Sequence, residues 1–167
     1  MNATLKLIAY SAVKNLEASS LTIATAESCT GGLIATAITS VPGASAVFRY
    51  GWITYCNEAK ERELGVPGSI IEEHGVVSEA VVAAMAEGAM RKAGADIAVA
   101  VSGNAGPTAA EGEPPVGTVC LAIMRRGATR RMHTETLHLP GMDREDVRIQ
   151  VAARVLTHVA GIAAERN

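Results

Sequence analysis

Two nucleophilic side chains, Ser28 and Cys29, stand side by side in the glycine-containing stretch Thr25-Ala-Glu-Ser-Cys-Thr-Gly-Gly32. A short apolar run precedes this stretch and an amphipathic one follows it, which predicts a turn from a strand into a helix. Free backbone N–H groups and the positive end of the helix dipole at such a turn could stabilise an oxyanion or hold a phosphate. The alternative is a serine N-cap whose glycines only allow tight packing of helix on sheet. We expect substrate contacts from Cys29, Thr30, Gly31 and Gly32.

A phenol and an amine follow the next strand-like run, in the segment Tyr55-Cys-Asn-Glu-Ala-Lys60. A partly desolvated lysine can lose its proton near neutral pH and act as the general base for a serine. A tyrosine can relay that proton or donate to a developing oxyanion. Ser28, Tyr55 and Lys60 are therefore the candidate catalytic residues. Spacing alone favours the plainer interpretation, in which Lys60 is solvated and Tyr55 lies at the edge of the core.

A third loop of small residues, Ser102-Gly-Asn-Ala-Gly-Pro107, follows a buried apolar run and could form a nest of amides for a phosphate or a ribose. It is neither a Walker A motif nor the spaced-glycine dinucleotide fingerprint. Arg144 and Arg148, one turn apart in the last predicted helix, could clamp a phosphate, although the sequence favours solvated charges. The candidate binding residues of the loop are Ser102, Gly103, Asn104 and Gly106.

The remaining chemistry-bearing side chains give no metal or cofactor signal. The three cysteines are odd in number and contain no C-x-x-C pair, which favours reduced thiols and argues against zinc. A G-x-S-x-G elbow is also missing from the sequence, so a hydrolase triad of that kind is not expected. We predict neither a metal nor a cofactor. No metal-ligand spacing joins the histidines, which we interpret as surface residues: His74, His133, His138 and His158.

Composition limits the class of protein. The 167 residues are 49% hydrophobic but only 3% aromatic, so the core must consist of small aliphatic side chains. This length and composition predict one domain over residues 1–167. A net charge of −2 with scattered basic residues gives no footprint for nucleic acid or an anionic membrane. Apolar runs stay short of about 18 residues and no signal-peptide pattern is present, so we expect a cytoplasmic protein without a membrane partner.

Helical periods alternate with strand-like runs along the whole chain. Strands are predicted at 22–26, 47–56, 96–102, 116–124 and 129–139, and helices near 5–16, 33–41, 57–64, 78–93 and from 143 onward. Residues 125–128 between the last two strands predict a hairpin turn. The order predicts an α/β fold, namely a three-layer α/β/α sandwich around a mixed, mostly parallel sheet of about five strands, one antiparallel. Parallel strands would bring segments 27–32, 55–60 and 102–107 to one crevice.

Together these segments resemble the CinA carboxy-terminal domain, the nicotinamide-mononucleotide deamidase (PncC) family, in its stand-alone form. The resemblance runs from about Leu5 to Ala163. It implies hydrolysis of the carboxamide of nicotinamide mononucleotide, a small nucleotide substrate, to nicotinate mononucleotide and ammonia. The motifs that carry it are Ala26-Glu-Ser-Cys-Thr-Gly-Gly32, Ser40-Val-Pro-Gly43, Tyr55-Cys-Asn-Glu-Ala-Lys60, His74-Gly-Val-Val-Ser78, Ser102-Gly-Asn-Ala-Gly-Pro107 and Pro115-Val-Gly-Thr118.

Matched by motif, the resemblance implies that Ser28 is the nucleophile and that Lys60 and Tyr55 activate it. It implies a substrate-binding role for Arg144 or Arg148. Ser102 stands where the family has a threonine. The chain departs from the family pattern at Asn104, where an aliphatic residue is usual, and in the loop 108–115.

Two further interpretations stay open at the level of sequence. The family's competence/damage-inducible name is compatible with a non-catalytic nucleotide-binding or regulatory module, which the departures at Asn104 and in the loop would favour. In a thiol amidase, Cys29 rather than Ser28 would be the nucleophile. The high alanine and valine content and the resemblance also lead us to expect a homo-oligomer, most simply a homodimer.

Overall fold

The computed structural model describes residues 1–109, 111–127 and 132–165. The strands are β1 (Ile23–Glu27), β2 (Phe48–Ile53), β3 (Ile97–Gly103), β4 (Thr118–Arg125) and β5 (Met132–His138). The helices are α1 (Ala3–Ala18), α2 (Leu33–Thr39), α3 (Asn57–Ala59), α4 (Gly68–His74), α5 (Glu79–Ala93) and α6 (Arg144–Ala164). A 3-10 turn covers Ala44–Ala46, and a single π-helical turn, Lys60–Leu64, continues α3.

The five strands form one sheet in the order β2-β1-β3-β4-β5. Strand β1 pairs in parallel with both β2 and β3, whereas β4 runs antiparallel to β3 and β5. The prediction of a mostly parallel sheet with one antiparallel strand is therefore confirmed. The hairpin is confirmed through the pairing of Thr118 with His138 and of Met124 with Met132. Residues 128–131, part of the predicted turn and strand, lie outside the described residues.

Aliphatic side chains fill both faces of the sheet, as the low aromatic content requires. One core layer joins α1, α2 and α6 to the odd-numbered β3 residues Ile97, Val99 and Val101. The other joins α5 and α4 to the alternate residues Ala98 and Ala100. Because successive strand residues point to opposite faces, this division completes the predicted α/β/α sandwich.

Helix α6 is the one described helix that is long and apolar enough, by length and composition alone, to cross a membrane. Asp143 caps its N-terminus by accepting a hydrogen bond from the Asp146 amide. Its apolar stripe lies against α1, α2 and the sheet, as in the core helix of a globular domain. The fully buried residues of this stripe include Val147, Val151, Val155 and Val159.

The region after β2 differs from its predicted form. We predicted one helix over 57–64, and the structure has three α-helical residues followed by the π turn. Helix α4 was not predicted, because Gly65 and Pro67 were interpreted as the end of a helix; Pro67 is instead the residue from which the next helix starts. The π turn places Lys60 and Leu64 among the buried residues.

The carboxyl ends of β1, β2 and β3 lie side by side, since Glu27 of β1 is level with Ile53 of β2 and Val101 of β3. The three segments that leave these strands therefore begin at the same edge of the sheet. This arrangement confirms the predicted convergence and creates the crevice described below.

Candidate functional site

The central contact of the crevice joins a serine to a lysine. The Nζ atom of Lys60 lies 3.2 Å from the Oγ atom of Ser28 and 2.9 Å from the carbonyl oxygen of Thr54. The turn after β1 presents Ser28, and the π turn after β2 presents Lys60. The favoured interpretation from spacing, a solvated lysine, is wrong, because only 1% of Lys60 is exposed.

Burial lowers the pKa of Lys60 from its usual value, because a buried ammonium has lost its hydration. Within the described residues, no carboxylate forms an ion pair with this amine. A neutral amine has two N–H bonds and one lone pair. Donation to the Thr54 carbonyl leaves the lone pair free to accept the hydroxyl proton of Ser28, as a general base must.

Cys29, the neighbouring candidate nucleophile, has a different environment. Burial raises the pKa of its thiol to about 11. Because the thiolate is the reactive form, a thiol with such a pKa is almost entirely protonated near neutral pH. The structure therefore favours Ser28 over Cys29 as the attacking group.

Glu27 holds the turn that carries Ser28. This carboxylate is buried and spans the start of α2, a role that the sequence analysis did not assign to it. Its oxygens accept hydrogen bonds from the Thr30 hydroxyl at 2.7 Å and from the backbone amides of Gly32, Ile34 and Ala35. The prediction that amides at the helix start are free for a ligand is wrong for these three, because Glu27 already neutralises them.

Two amides of the turn, those of Cys29 and Thr30, form no hydrogen bond with another of the described residues. They follow Ser28 directly, whose own amide donates to the Val101 carbonyl. The amide after a nucleophile is where acyl-transfer sites commonly place an oxyanion donor. Only Cys29 of the two lines the crevice, so its amide, rather than the helix start, is the donor that an oxyanion beside Ser28 could use.

Arg148 fixes the same turn from outside the crevice. Its guanidinium donates twice to the Thr30 carbonyl, at 2.8 and 3.3 Å. Arg148, Thr30, Gly31 and Gly32 do not line the crevice. Their predicted contacts with substrate stay a prediction that this geometry does not favour.

Arg144 and Tyr55 form the rim of the crevice. The Arg144 guanidinium donates to the Tyr55 hydroxyl at 2.7 Å and to the Gly106 carbonyl at 2.6 Å. Tyr55 is 58% exposed, and within the described residues it forms no hydrogen bond with Ser28 or Lys60. The structure thus brings Tyr55 to the crevice beside the arginine rather than beside the nucleophile.

The loop after β3 is held by its own polar groups. The Ser102 hydroxyl donates to the Val76 carbonyl at 2.8 Å. Asn104 accepts from the Gly106 amide at 3.0 Å and donates to the Pro114 carbonyl at 3.4 Å, so its side chain forms an Asx-type turn. Gly103 is required by packing, because a Cβ atom there would stand 2.6 Å from Val119.

These groups enclose a cavity of about 310 Å³, a volume within the usual range for small-molecule sites. A larger depression of about 550 Å³ lies between the ends of α1 and α6, but the described residues that line it include no nucleophile–base pair. The predicted residues that line the smaller cavity are Ser28, Cys29, Tyr55, Lys60, Ser102, Gly103, Asn104, Gly106 and Arg144. It is also lined by residues that the sequence analysis did not select: Asn57, Val76, Val77, Ala105, Thr108 and Glu113.

A comparison with models of protein families shows to which family the chain belongs. The family model described as the CinA C-terminal domain matches residues 6–162. The chain belongs to this family.

Relatives of this CinA domain agree with the assignment. The chain is 54% identical over 144 residues to a CinA-like protein of Akkermansia muciniphila. The aligned region covers 86% of the chain and 34% of that relative. The CinA-like protein of Citrifermentans bemidjiense is 52% identical over 133 residues, covering 80% of the chain and 31% of that protein. The chain spans about a third of the length of the curated relatives it matches.

Solved structures of the superfamily share the fold along nearly their full length. The competence/damage inducible protein CihA of Agrobacterium tumefaciens superposes with a TM-score of 0.92 at 34% identity, covering 97% of both chains. A competence-damaged protein (CinA) superfamily protein of Klebsiella pneumoniae gives a TM-score of 0.90 at 34% identity, covering 98% of this CinA domain and 99% of that chain.

Proposed function

We propose that this CinA domain hydrolyses the carboxamide of nicotinamide mononucleotide, releasing nicotinate mononucleotide and ammonia. The observation that carries the proposal is the contact of 3.2 Å between Ser28 and the buried Lys60 at the floor of a nucleotide-sized crevice. A serine hydroxyl is a weak nucleophile until a base removes its proton. Lys60 is a suitable base because burial lowers its pKa.

In the proposed reaction, Lys60 takes the hydroxyl proton while the Oγ atom of Ser28 bonds to the carboxamide carbon. The carbonyl oxygen becomes an oxyanion, which the Cys29 amide stabilises. Collapse of this intermediate breaks the C–N bond, and Lys60 returns its proton to the leaving nitrogen, which departs as ammonia. Water, deprotonated by the same amine, then hydrolyses the ester to the carboxylate and restores the serine hydroxyl.

The part of the nucleotide beyond the carboxamide is assigned to the rim of the crevice, which Arg144 and Tyr55 form. Arg144 is the cation of the crevice that can meet the 5′-phosphate, because it lines the cavity and Arg148 does not. By donating to the Tyr55 oxygen it leaves the phenolic proton free to donate to the ligand.

The proposal is tested by ammonia release from nicotinamide mononucleotide with purified protein. We expect Ser28→Ala to abolish release and Cys29→Ala to retain most of it. The reverse outcome would assign the reaction to a thiol. Wild-type protein that binds the nucleotide without releasing ammonia would support the regulatory alternative.

The base is tested separately with Lys60→Arg, which preserves a cation but cannot accept a proton near neutral pH. We expect this variant to lose nearly all turnover, on the order of 10²–10⁴-fold, while still binding the nucleotide. Turnover equal to wild type would reduce Lys60 to an electrostatic or structural role.

We also propose a cytoplasmic homodimer. The support is the exposed edge strand β2, on which Tyr50 and Ile53 are 52% and 60% exposed. An unpaired edge with exposed apolar side chains favours pairing with another chain. Light scattering at micromolar concentration tests the oligomeric state, and a monomeric mass would remove the proposal.

A further inference from the structure

Two histidines and one glutamate meet on the opposite side of the fold from the three parallel strands. His133 and Glu135 come from the edge strand β5, and His158 comes from α6. One ligand atom of each residue lies within 4.8 Å of the other two. The Oε2 atom of Glu135 stands 3.3 Å from Nε2 of His158 and 3.8 Å from Nε2 of His133.

The backbone explains why the three side chains converge. Residues two apart on a strand point to the same face, so His133 and Glu135 project together toward α6. The two imidazole rings lie with their centroids 4.8 Å apart and their planes tilted by 36°. Spacing along the chain does not reveal this group, because His158 is far in sequence from the other two residues. The His-x-Glu alternation within a predicted strand was the available signal.

The two ring nitrogens nearest the carboxylate lie within ion-pair distance of it but form no well-aligned hydrogen bond. The Nε2 atoms of His133 and His158 are buried, and neither has a hydrogen bond of acceptable geometry within the part of the chain that the structure describes. A buried polar atom without a partner costs free energy, so two of them beside one carboxylate call for an explanation. A cation coordinated by both nitrogens and the carboxylate would satisfy all three groups.

The separations suit a small transition-metal ion. Bond lengths of about 2.0–2.2 Å from zinc to nitrogen or oxygen place tetrahedral ligand atoms about 3.3–3.6 Å apart. The two measured separations from Glu135, 3.3 and 3.8 Å, bracket this range. The separation of 3.8 Å between Glu135 and His133 would have to shorten by a few tenths of an ångström, and the two histidine nitrogens, which lie within 4.8 Å of each other, would have to approach. A site with two imidazoles and one carboxylate leaves a fourth position for water.

Arg154 orients the carboxylate. Its guanidinium donates to both oxygens of Glu135, at 2.7 and 3.0 Å. A carboxylate oxygen has two lone pairs, so Oε2 can accept one of these bonds and still bind a cation. The arginine charge opposes a second cation, but a hydrogen-bonded carboxylate is also the usual arrangement around a metal ligand.

We propose that His133, Glu135 and His158 form a binding site for a divalent transition-metal ion of the zinc class. The ion would tie the edge strand β5 to α6. The site is separate from the crevice, because His158 lies 14 residues, or about 21 Å along the helix axis, from Arg144. The proposed amidase reaction needs no metal, so the two proposals can fail independently.

The test is titration of untagged, chelator-treated protein with Zn²⁺, followed by calorimetry and by thermal unfolding. We expect one saturable site and a rise in Tm with metal concentration. His133→Gln and His158→Gln should each weaken binding by more than about tenfold. His138→Gln, a matched control on the same strand, should bind as the wild type does.

Titration with Co²⁺ identifies the ligands independently. Nitrogen and oxygen ligands give weak visible bands, and a strong thiolate band would instead assign the metal to an exposed cysteine such as Cys56. That result overturns the proposal, as does a wild type that shows no saturable binding or histidine variants that bind with wild-type affinity. Circular dichroism of the variants keeps a loss of binding distinct from a loss of fold.

Discussion

Replacement of Gly88 by alanine tests how α5 supports the lysine of the crevice. Gly88 is buried in α5 where the helix crosses the π turn Lys60–Leu64. A Cβ atom there would stand 2.0 Å from the Leu64 carbonyl oxygen and 2.9 Å from its carbonyl carbon. Ordinary contact requires more than 1 Å of additional separation, and the obstacle is backbone rather than a flexible side chain. The π turn, which begins at Lys60, would therefore have to move.

The magnitude follows from two opposing effects. Alanine is more favourable than glycine inside a helix by about 1 kcal/mol. Overpacking a well-filled core costs about 1–3 kcal/mol, and a rigid carbonyl puts this contact at the upper end. The expected net loss for Gly88→Ala is about 2 kcal/mol, which corresponds to a decrease in Tm of about 4–8 °C for a chain of this size.

Gly161→Ala is the matched control. Gly161 lies on an exposed part of α6, and nothing stands within 4 Å of the added Cβ atom. The same chemical change should there stabilise the protein by about 0.5–1 kcal/mol and raise Tm by about 1–4 °C. Calorimetry of both variants gives the answer, with ammonia release reporting on Lys60. Equal Tm changes, or a Gly88→Ala variant with wild-type stability and turnover, would refute the packing argument.

Three more predictions concern the crevice. Because burial lowers the pKa of Lys60, the unfolded chain keeps this proton to higher pH than the folded protein. Turnover should therefore rise as the pH rises through the lowered pKa of Lys60. The free energy of unfolding should also rise with pH between the pKa of Lys60 in the folded protein and its pKa in the unfolded chain. Lys60→Met should remove this rise in stability. Iodoacetamide at mildly alkaline pH should alkylate the exposed Cys56 and spare Cys29, whose pKa is about 11; mass spectrometry showing equal labelling would contradict the burial. Glu27→Gln leaves fewer acceptors for the buried amides of α2 and should cost about 1–3 kcal/mol in urea unfolding, whereas a loss no larger than that of the exposed Glu72→Gln would contradict the capping role.

The layers of the fold could be predicted because each depends on local periodicity. The four-residue spacing from Val147 to Val159 predicted α6, and the apolar run ending at Ser102 predicted β3. Helix α4 was not predicted, because a proline such as Pro67 can follow the end of one helix or precede the start of the next, and composition does not distinguish these two positions. The π turn packs against Gly88, a contact between distant segments that no local pattern encodes.

The sequence predicted which segments come together at the site, but not the environment or the role of each side chain there. Parallel strands with adjacent carboxyl ends brought Ser28 and Lys60 together as expected. The burial of Lys60 depends on α5 and the π turn, so spacing favoured the wrong, solvated interpretation. The sequence did not show that Glu27 takes the amides of α2, because a motif lists residue types without saying which groups are already paired.

The buried amine of Lys60, with which no described carboxylate forms an ion pair, also has a consequence for chemical probes. The chain has four lysines, and the other three, Lys6, Lys14 and Lys92, are exposed or half-buried. Burial lowers the pKa of Lys60, and its amine lines the crevice. An aldehyde that carries a phosphate would be drawn to the arginine rim and would form its imine at Lys60 first. The feature that suits this side chain to proton transfer thus makes it the preferred point of attachment for a covalent ligand.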